Sequence, residues 1–162
     1  MVVGDRRSGK TTYLLRDMLE ILLEPQGNIY FCTLSHDLAR DNYRTLMESI
    51  HRTQEENGRY IFYRPSERIK LGSWRTFGCD TRGMNFRALY FDEISHYGRW
   101  STDIWLRELY EWPSARMGKI VVTCDASDLY QYGNTTMWTT VDLGPRARIQ
   151  RPAVPEGWSG LE

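Results

Sequence analysis

Between residues 10 and 24 the apolar positions recur every three or four residues. Leu14, Leu15, Met18, Leu19, Leu22 and Leu23 fall on one face of a helix. Pro25, Gln26, Gly27 and Asn28 end it. The period then changes. Residues 29–33, IYFCT, are a compact apolar run of strand length. Ser35 is placed to cap a second helix, with Leu38, Ala39, Leu46, Met47 and Ile50 on its buried side. Residues 53–59 form a polar turn containing Asn57-Gly58. Residues 60–63, 69–72 and 74–79 are short strand candidates, and 87–93 (RALYFDE) read as an apolar strand ending in two carboxylates. Ser101 is placed to cap a helix holding Ile104, Trp105, Leu106, Leu109 and Tyr110, with Pro113 after it. Residues 119–124, KIVVTC, are another buried strand, and the apolar lead-in at residues 1–3 is the end of one.

Strand–helix alternation of this kind predicts a three-layer α/β domain with a mainly parallel central sheet. Such sheets bind ligands at the carboxyl ends of their strands. A length of 162 residues suits one domain. We expect it over 1–143. After Gly144 the composition turns to Pro, Gly and Arg, so 144–162 is expected to be an extended tail.

Composition narrows the function class. There is no long uncharged apolar run, so no transmembrane helix and no membrane partner is expected. Asp5, Arg6 and Arg7 interrupt any signal-peptide pattern. Cys32, Cys79 and Cys124 have no metal-ligand spacing and read as small core residues in a reducing compartment. The cytoplasm is the expected location, that of the host cell if the chain is viral. The 21 basic and 21 acidic residues balance, so any contact with DNA must come from a local basic surface.

The chemistry begins at residue 4. Gly4-Asp5-Arg6-Arg7-Ser8-Gly9-Lys10-Thr11 satisfies G-x-x-x-x-G-K-[ST], with Thr12 following. The glycines let the backbone wrap closely and turn its N–H groups toward a phosphate. Lys10 supplies a point charge to the β- and γ-phosphates, and Thr11 offers a hydroxyl to Mg²⁺. The helix that follows aims its positive end at the same place. Nothing reads as a guanine-specific signature, so ATP is the expected nucleotide. Asp92 and Glu93, at the end of a buried strand, complete the set: Asp92 to hold Mg²⁺ through a water, Glu93 to polarise the attacking water.

At this point residues 1–127 resemble the ATPase domain of phage terminase large subunits, the motors that pump DNA into capsids. Arginines precede Ser8-Gly9-Lys10-Thr11. Thr33-Leu34-Ser35-His36-Asp37-Leu38-Ala39-Arg40 follows the second strand. Arg82-Gly83 sits shortly before the carboxylate strand, and Ile120-Val121-Val122-Thr123-Cys124-Asp125 looks like a strand and coupling turn. The resemblance implies the RecA-like (ASCE) form of the P-loop NTPase fold. It implies Mg²⁺-dependent ATP hydrolysis that drives translocation of double-stranded DNA, a homo-oligomeric ring when assembled, and contact with a capsid portal. One of Arg6 and Arg7 would sense the γ-phosphate, with Arg6 favoured by its spacing before Ser8. Thr123 would belong to the coupling turn.

Terminases carry tens of residues before the phosphate loop and a C-terminal metal nuclease domain. Here the chain runs from Met1 to Glu162. The expectation is a nuclease-free packaging ATPase or a piece of a longer protein. The same residues also suit the first RecA-like domain of a helicase, a phage assembly ATPase of the zonula-occludens-toxin type, or a nucleotide-gated interaction module. His36 and His96 are expected at surface or capping positions. Arg99, Arg107 and Arg116 are candidates to reach a neighbour's γ-phosphate in a ring. Arg146, Arg148 and Arg151 are a basic stretch that reads as solvated tail. Trp100 and Trp105 are candidates for a subunit contact.

Overall fold

The computed structural model describes residues 1–5, 7–24, 27–57, 65–112, 118–127 and 140–143. The six strands are β1 (Val2–Gly4), β2 (Ile29–Thr33), β3 (Ile69–Ser73), β4 (Ala88–Phe91), β5 (Lys119–Asp125) and β6 (Val141–Asp142). They form one sheet in the order β3-β2-β4-β5-β1-β6, and every pairing is parallel. The helices are α1 (Lys10–Leu22), α2 (His36–Asn57), α3 (Pro65–Arg68), α4 (Phe77–Asp80) and α5 (Thr102–Glu111), with a 3₁₀ turn at Ile94–His96. This is the three-layer α/β architecture expected from the alternation, in the RecA-like form that the resemblance implies.

The layers follow from side chains pointing to opposite faces along each strand. Ile29, Phe31, Ala88, Tyr90 and Val121 pack with Leu14, Met18 and Leu22 of α1 and Leu46 and Ile50 of α2. The intervening Tyr30, Cys32, Leu89, Phe91, Val122 and Cys124 pack with Phe77 of α4 and Trp105, Leu106 and Leu109 of α5. A parallel sheet covered on both faces needs strands that are apolar throughout. The runs IYFCT and ALYF are buried at every position.

Register carries the ends of these strands together. Gly4 lies beside Asp125, and Phe91 lies beside Cys32 on one side and Val122 on the other. The next residue, Asp92, continues the ladder by donating its N–H to Cys32 O at 2.9 Å. It therefore falls beside Thr123.

Several expectations are corrected. Residues 74–79 are not a strand. Local bonds win there: Cys79 and Asp80 donate their N–H groups to Thr76 O, and the Thr76 hydroxyl donates to Asp80 Oδ2 at 2.7 Å, which closes the turn into α4. Cys79 is exposed rather than in the core, while Cys32 and Cys124 are buried. Leu38 and Tyr110 stand at 36% and 52% exposure, outside the buried faces of their helices. Trp105 is buried against Tyr97 and Trp100, so it is a core residue and not a contact surface. Strand β6 was not anticipated. Its two residues carry no pattern, and it is defined by Val141 and Leu143 N–H groups donating to Met1 O and Val3 O at 2.8 Å. The strand expected at 60–63 and the tail at 144–162 lie outside the described residues.

One side chain finishes α1. The last carbonyls of a helix have no partner within it. Arg68, 6% exposed, donates to Ile21 O at 3.1 Å, to Leu22 O and Glu24 O at 3.0 Å, and to Gly27 O at 2.9 Å. A cation at a helix C-terminus also answers its negative end. Arg68→Met is expected to lower stability by roughly 3 kcal/mol, because several buried carbonyls lose their donor at once. Arg68→Lys would recover only part, lacking the planar fork. Urea unfolding midpoints of the three proteins check this.

Candidate active site

The loop between β1 and α1 is built on close approach and left-handed backbone. A Cβ at Gly4 would collide with the Ser8 hydroxyl and stand 2.9 Å from Ser8 Cβ, so residue 4 has to be glycine. Gly9, at the N-terminus of α1, has φ 92°, and Arg7 has φ 64°. No side chain caps α1 at Gly9, which leaves its first N–H groups for a ligand. The Ser8 hydroxyl is buried and has no partner among the described residues. A buried hydroxyl without a partner is costly, and this one is packed against the Gly4 backbone. These features fit a phosphate group. Asp5 and Arg7 are exposed, and Thr12 is half-buried on the first turn of α1. Arg6 lies outside the described residues.

Lys10 is buried at the start of α1. Its ammonium donates to Gly4 O at 2.8 Å, Asp5 O at 2.9 Å and Asp125 Oδ1 at 3.0 Å. Asp125 also stands 3.2 Å from His96 Nε2 through its other oxygen. The pairing of Gly4 with Asp125 in the sheet brings that carboxylate to the loop.

Asp92 is 3% exposed and accepts from two hydroxyls, Thr11 Oγ1 at 2.7 Å and Thr123 Oγ1 at 2.6 Å. Burial pushes its carboxyl above the usual range. The two hydroxyls and Lys10 oppose that shift, and the neighbouring Glu93 charge adds to it. Thr123 also accepts the Glu93 N–H at 2.6 Å, so one hydroxyl fixes both acidic residues. Glu93 itself adopts φ 56° and ψ 50°, a left-handed conformation that costs a non-glycine residue of order 1 kcal/mol or more.

Thr11 and Asp92 together offer a hydroxyl and a carboxylate. Mg²⁺ uses one or two protein ligands and keeps its remaining sites for waters and phosphate oxygens, so this pair fits it. Among the described residues no group of three or more His, Cys, Asp or Glu is placed to hold a metal ion. The pair would hold Mg²⁺ with waters rather than in an all-protein cage.

The fold thus gathers Gly4, Ser8, Gly9, Lys10, Thr11, Asp92 and Glu93 at one end of the sheet. His36 is elsewhere, with its Nε2 3.3 Å from Thr76 Oγ1. Arg99 is exposed with its guanidinium 4.5 Å from the Trp100 ring, and exposed Arg107 lies 3.8 Å from Glu108. Arg116, Arg146, Arg148 and Arg151 lie outside the described residues. Sequence reasoning missed Asp125 as the partner of Lys10, and Ser95, whose Oγ accepts the Asp125 N–H at 2.8 Å. It also missed the bridging role of Thr123. The available signal was polar Thr123 and Asp125 two apart, hence on one side, at the end of an apolar strand.

A family model described as "Terminase large subunit, T4likevirus-type, N-terminal" matches residues 1–105. No curated protein and no solved structure matches the chain.

Thr123→Val removes the bridge and leaves Asp92 Oδ1 and the Glu93 N–H without their partner. Stability should fall by about 2 kcal/mol, with most of it restored in Thr123→Ser. Thermal and denaturant unfolding of the two variants would show whether the hydroxyl, rather than the side-chain volume, is responsible.

Proposed function

The chain belongs to the family of T4-like-virus-type terminase large subunit N-terminal domains, and from that we propose that it hydrolyses ATP with Mg²⁺ to drive double-stranded DNA into a viral capsid. Membership of the family implies a role in phage DNA packaging. The observation that carries the finer reading is the 2.7 Å contact between Thr11 and Asp92, which joins the phosphate loop to the carboxylate strand across 81 residues of sequence. Chance glycine turns have no reason to meet a buried carboxylate at the end of a neighbouring strand.

Each residue has a role in this reading. The loop and the N–H groups at the start of α1 bind phosphate oxygens. Lys10 neutralises charge on the β- and γ-phosphates. Thr11 and Asp92 would hold Mg²⁺, which when bound would neutralise charge developing on the phosphate oxygens. Glu93 orients a water for attack and accepts its proton. Thr123 holds Asp92 and Glu93 in fixed relation. Arg6 is the residue we assign to the γ-phosphate in the same subunit. In a homo-oligomeric ring, Arg99, Arg107 and Arg116 are the candidates for a neighbour's γ-phosphate, and of these Arg99 and Arg107 are exposed.

The other partners follow from the packaging role: double-stranded DNA, and a capsid portal. The proposed place of action is the host cytoplasm. Among the described residues no helix is long and apolar enough to cross a membrane.

The test is ATP turnover by the purified chain with and without double-stranded DNA. Turnover should require Mg²⁺ and rise with DNA. Glu93→Gln should still bind ATP yet lose at least about a hundredfold in rate. Lys10→Ala should lose both binding and turnover. Full activity in Glu93→Gln would remove the assigned base, and full activity in Lys10→Ala would remove the nucleotide site.

A further inference from the structure

An ammonium has three N–H donors, and those of Lys10 are matched by Gly4 O, Asp5 O and Asp125 Oδ1 at 2.8, 2.9 and 3.0 Å. A phosphate oxygen that receives one of them must displace an acceptor. Two of the three are carbonyls of the loop that cradles the phosphates. The third is a full negative charge beside the incoming one. Like charges competing for one cation exclude each other, so Asp125 is the acceptor that gives way.

Asp125 has somewhere to go. Its second oxygen is already 3.2 Å from His96 Nε2, and its backbone N–H is held by Ser95 Oγ at 2.8 Å. The carboxylate can leave Lys10 while its backbone stays anchored. We propose that Asp125 is a positioning residue for Lys10. It holds the ammonium against β5, competes with the phosphates of a nucleoside triphosphate for it, and passes to His96 when a phosphate takes it. This rests on the nucleotide reading given above.

The consequence has a distinctive sign. Asp125→Asn keeps an oxygen acceptor and removes the charge. It removes the carboxylate that touches the buried ammonium in the free chain, which costs stability. A bound phosphate then supplies the missing charge, so affinity rises as stability falls. A residue that merely shaped the loop would lower both.

The experiment measures binding of a non-hydrolysable ATP analogue with Mg²⁺ by calorimetry, and thermal unfolding without nucleotide. It compares wild type with Asp125→Asn, His96→Ala and Lys10→Ala. Asp125→Asn is expected to lower Tm and tighten binding about tenfold, the usual scale of coupling between two groups. His96→Ala, at an exposed position, should weaken binding about fivefold, because Asp125 then stays on Lys10. Lys10→Ala should abolish binding. If Asp125→Asn binds no tighter while Lys10→Ala loses binding, the competition is refuted and the nucleotide site stands. If Asp125→Asn does not fold, His96→Ala decides, and unchanged or tighter binding there refutes it. If the wild type binds no analogue, the nucleotide reading falls and this inference falls with it.

Discussion

The Asp92 carboxylate is the constraint on which the site is arranged. It is almost fully removed from water, and a charge in that position is stable only if its oxygens are satisfied. Two hydroxyls do this, one from the first turn of α1 and one from β5. Three separate segments must therefore meet within hydrogen-bond distance of one side chain. Moving any of them would leave a buried carboxylate short of a donor, which penalises alternative packings of the strand ends.

The sheet makes that meeting possible. Strand β5 lies between β1 and β4, so the phosphate loop and the carboxylate strand are not neighbours. The gap between them is bridged by residues at the end of β5, Thr123 toward Asp92 and Asp125 toward Lys10. A one-residue slip of β5 would turn both side chains to the opposite face. The apolar residues around them, Val122 and Cys124 on one face and Val121 on the other, pin the register through burial. Core packing and site geometry thus rest on the same alternation.

Much of this was legible in the sequence, for physical reasons. A strand buried on both faces must be apolar throughout, and IYFCT, ALYF and IVVTC have that form. A phosphate loop needs its glycines, lysine and hydroxyl at fixed spacing, so Gly4, Gly9, Lys10 and Thr11 stand out without any structure. Failures came where tertiary contacts decide. The aromatic residues at 74–79 suggest a strand, but side-chain bonds from Thr76 bend the chain into a turn. Strand β6 is too short to carry a period. Asp125 could not be assigned to Lys10, because the β1–β5 register that pairs Gly4 with Asp125 is not a local property.

The left-handed backbone at Glu93 has a structural account. A strained residue persists only when its surroundings over-determine it. Besides its own turn bonds, the segment that follows β4 is tied to the sheet at Glu93, Ser95, His96 and Tyr97. The Glu93 N–H is held by Thr123, Ser95 Oγ accepts from Asp125, and the Tyr97 hydroxyl donates to Cys32 O at 2.9 Å. The partners sit at the ends of β5 and β2, so the sheet itself sets where the chain may go after Asp92. Between those anchors Glu93 is held in the left-handed conformation, φ 56° and ψ 50°. A carboxylate on a freely turning loop would have no fixed relation to the phosphate loop. One carried on a segment anchored to two strand ends has that relation before any ligand arrives.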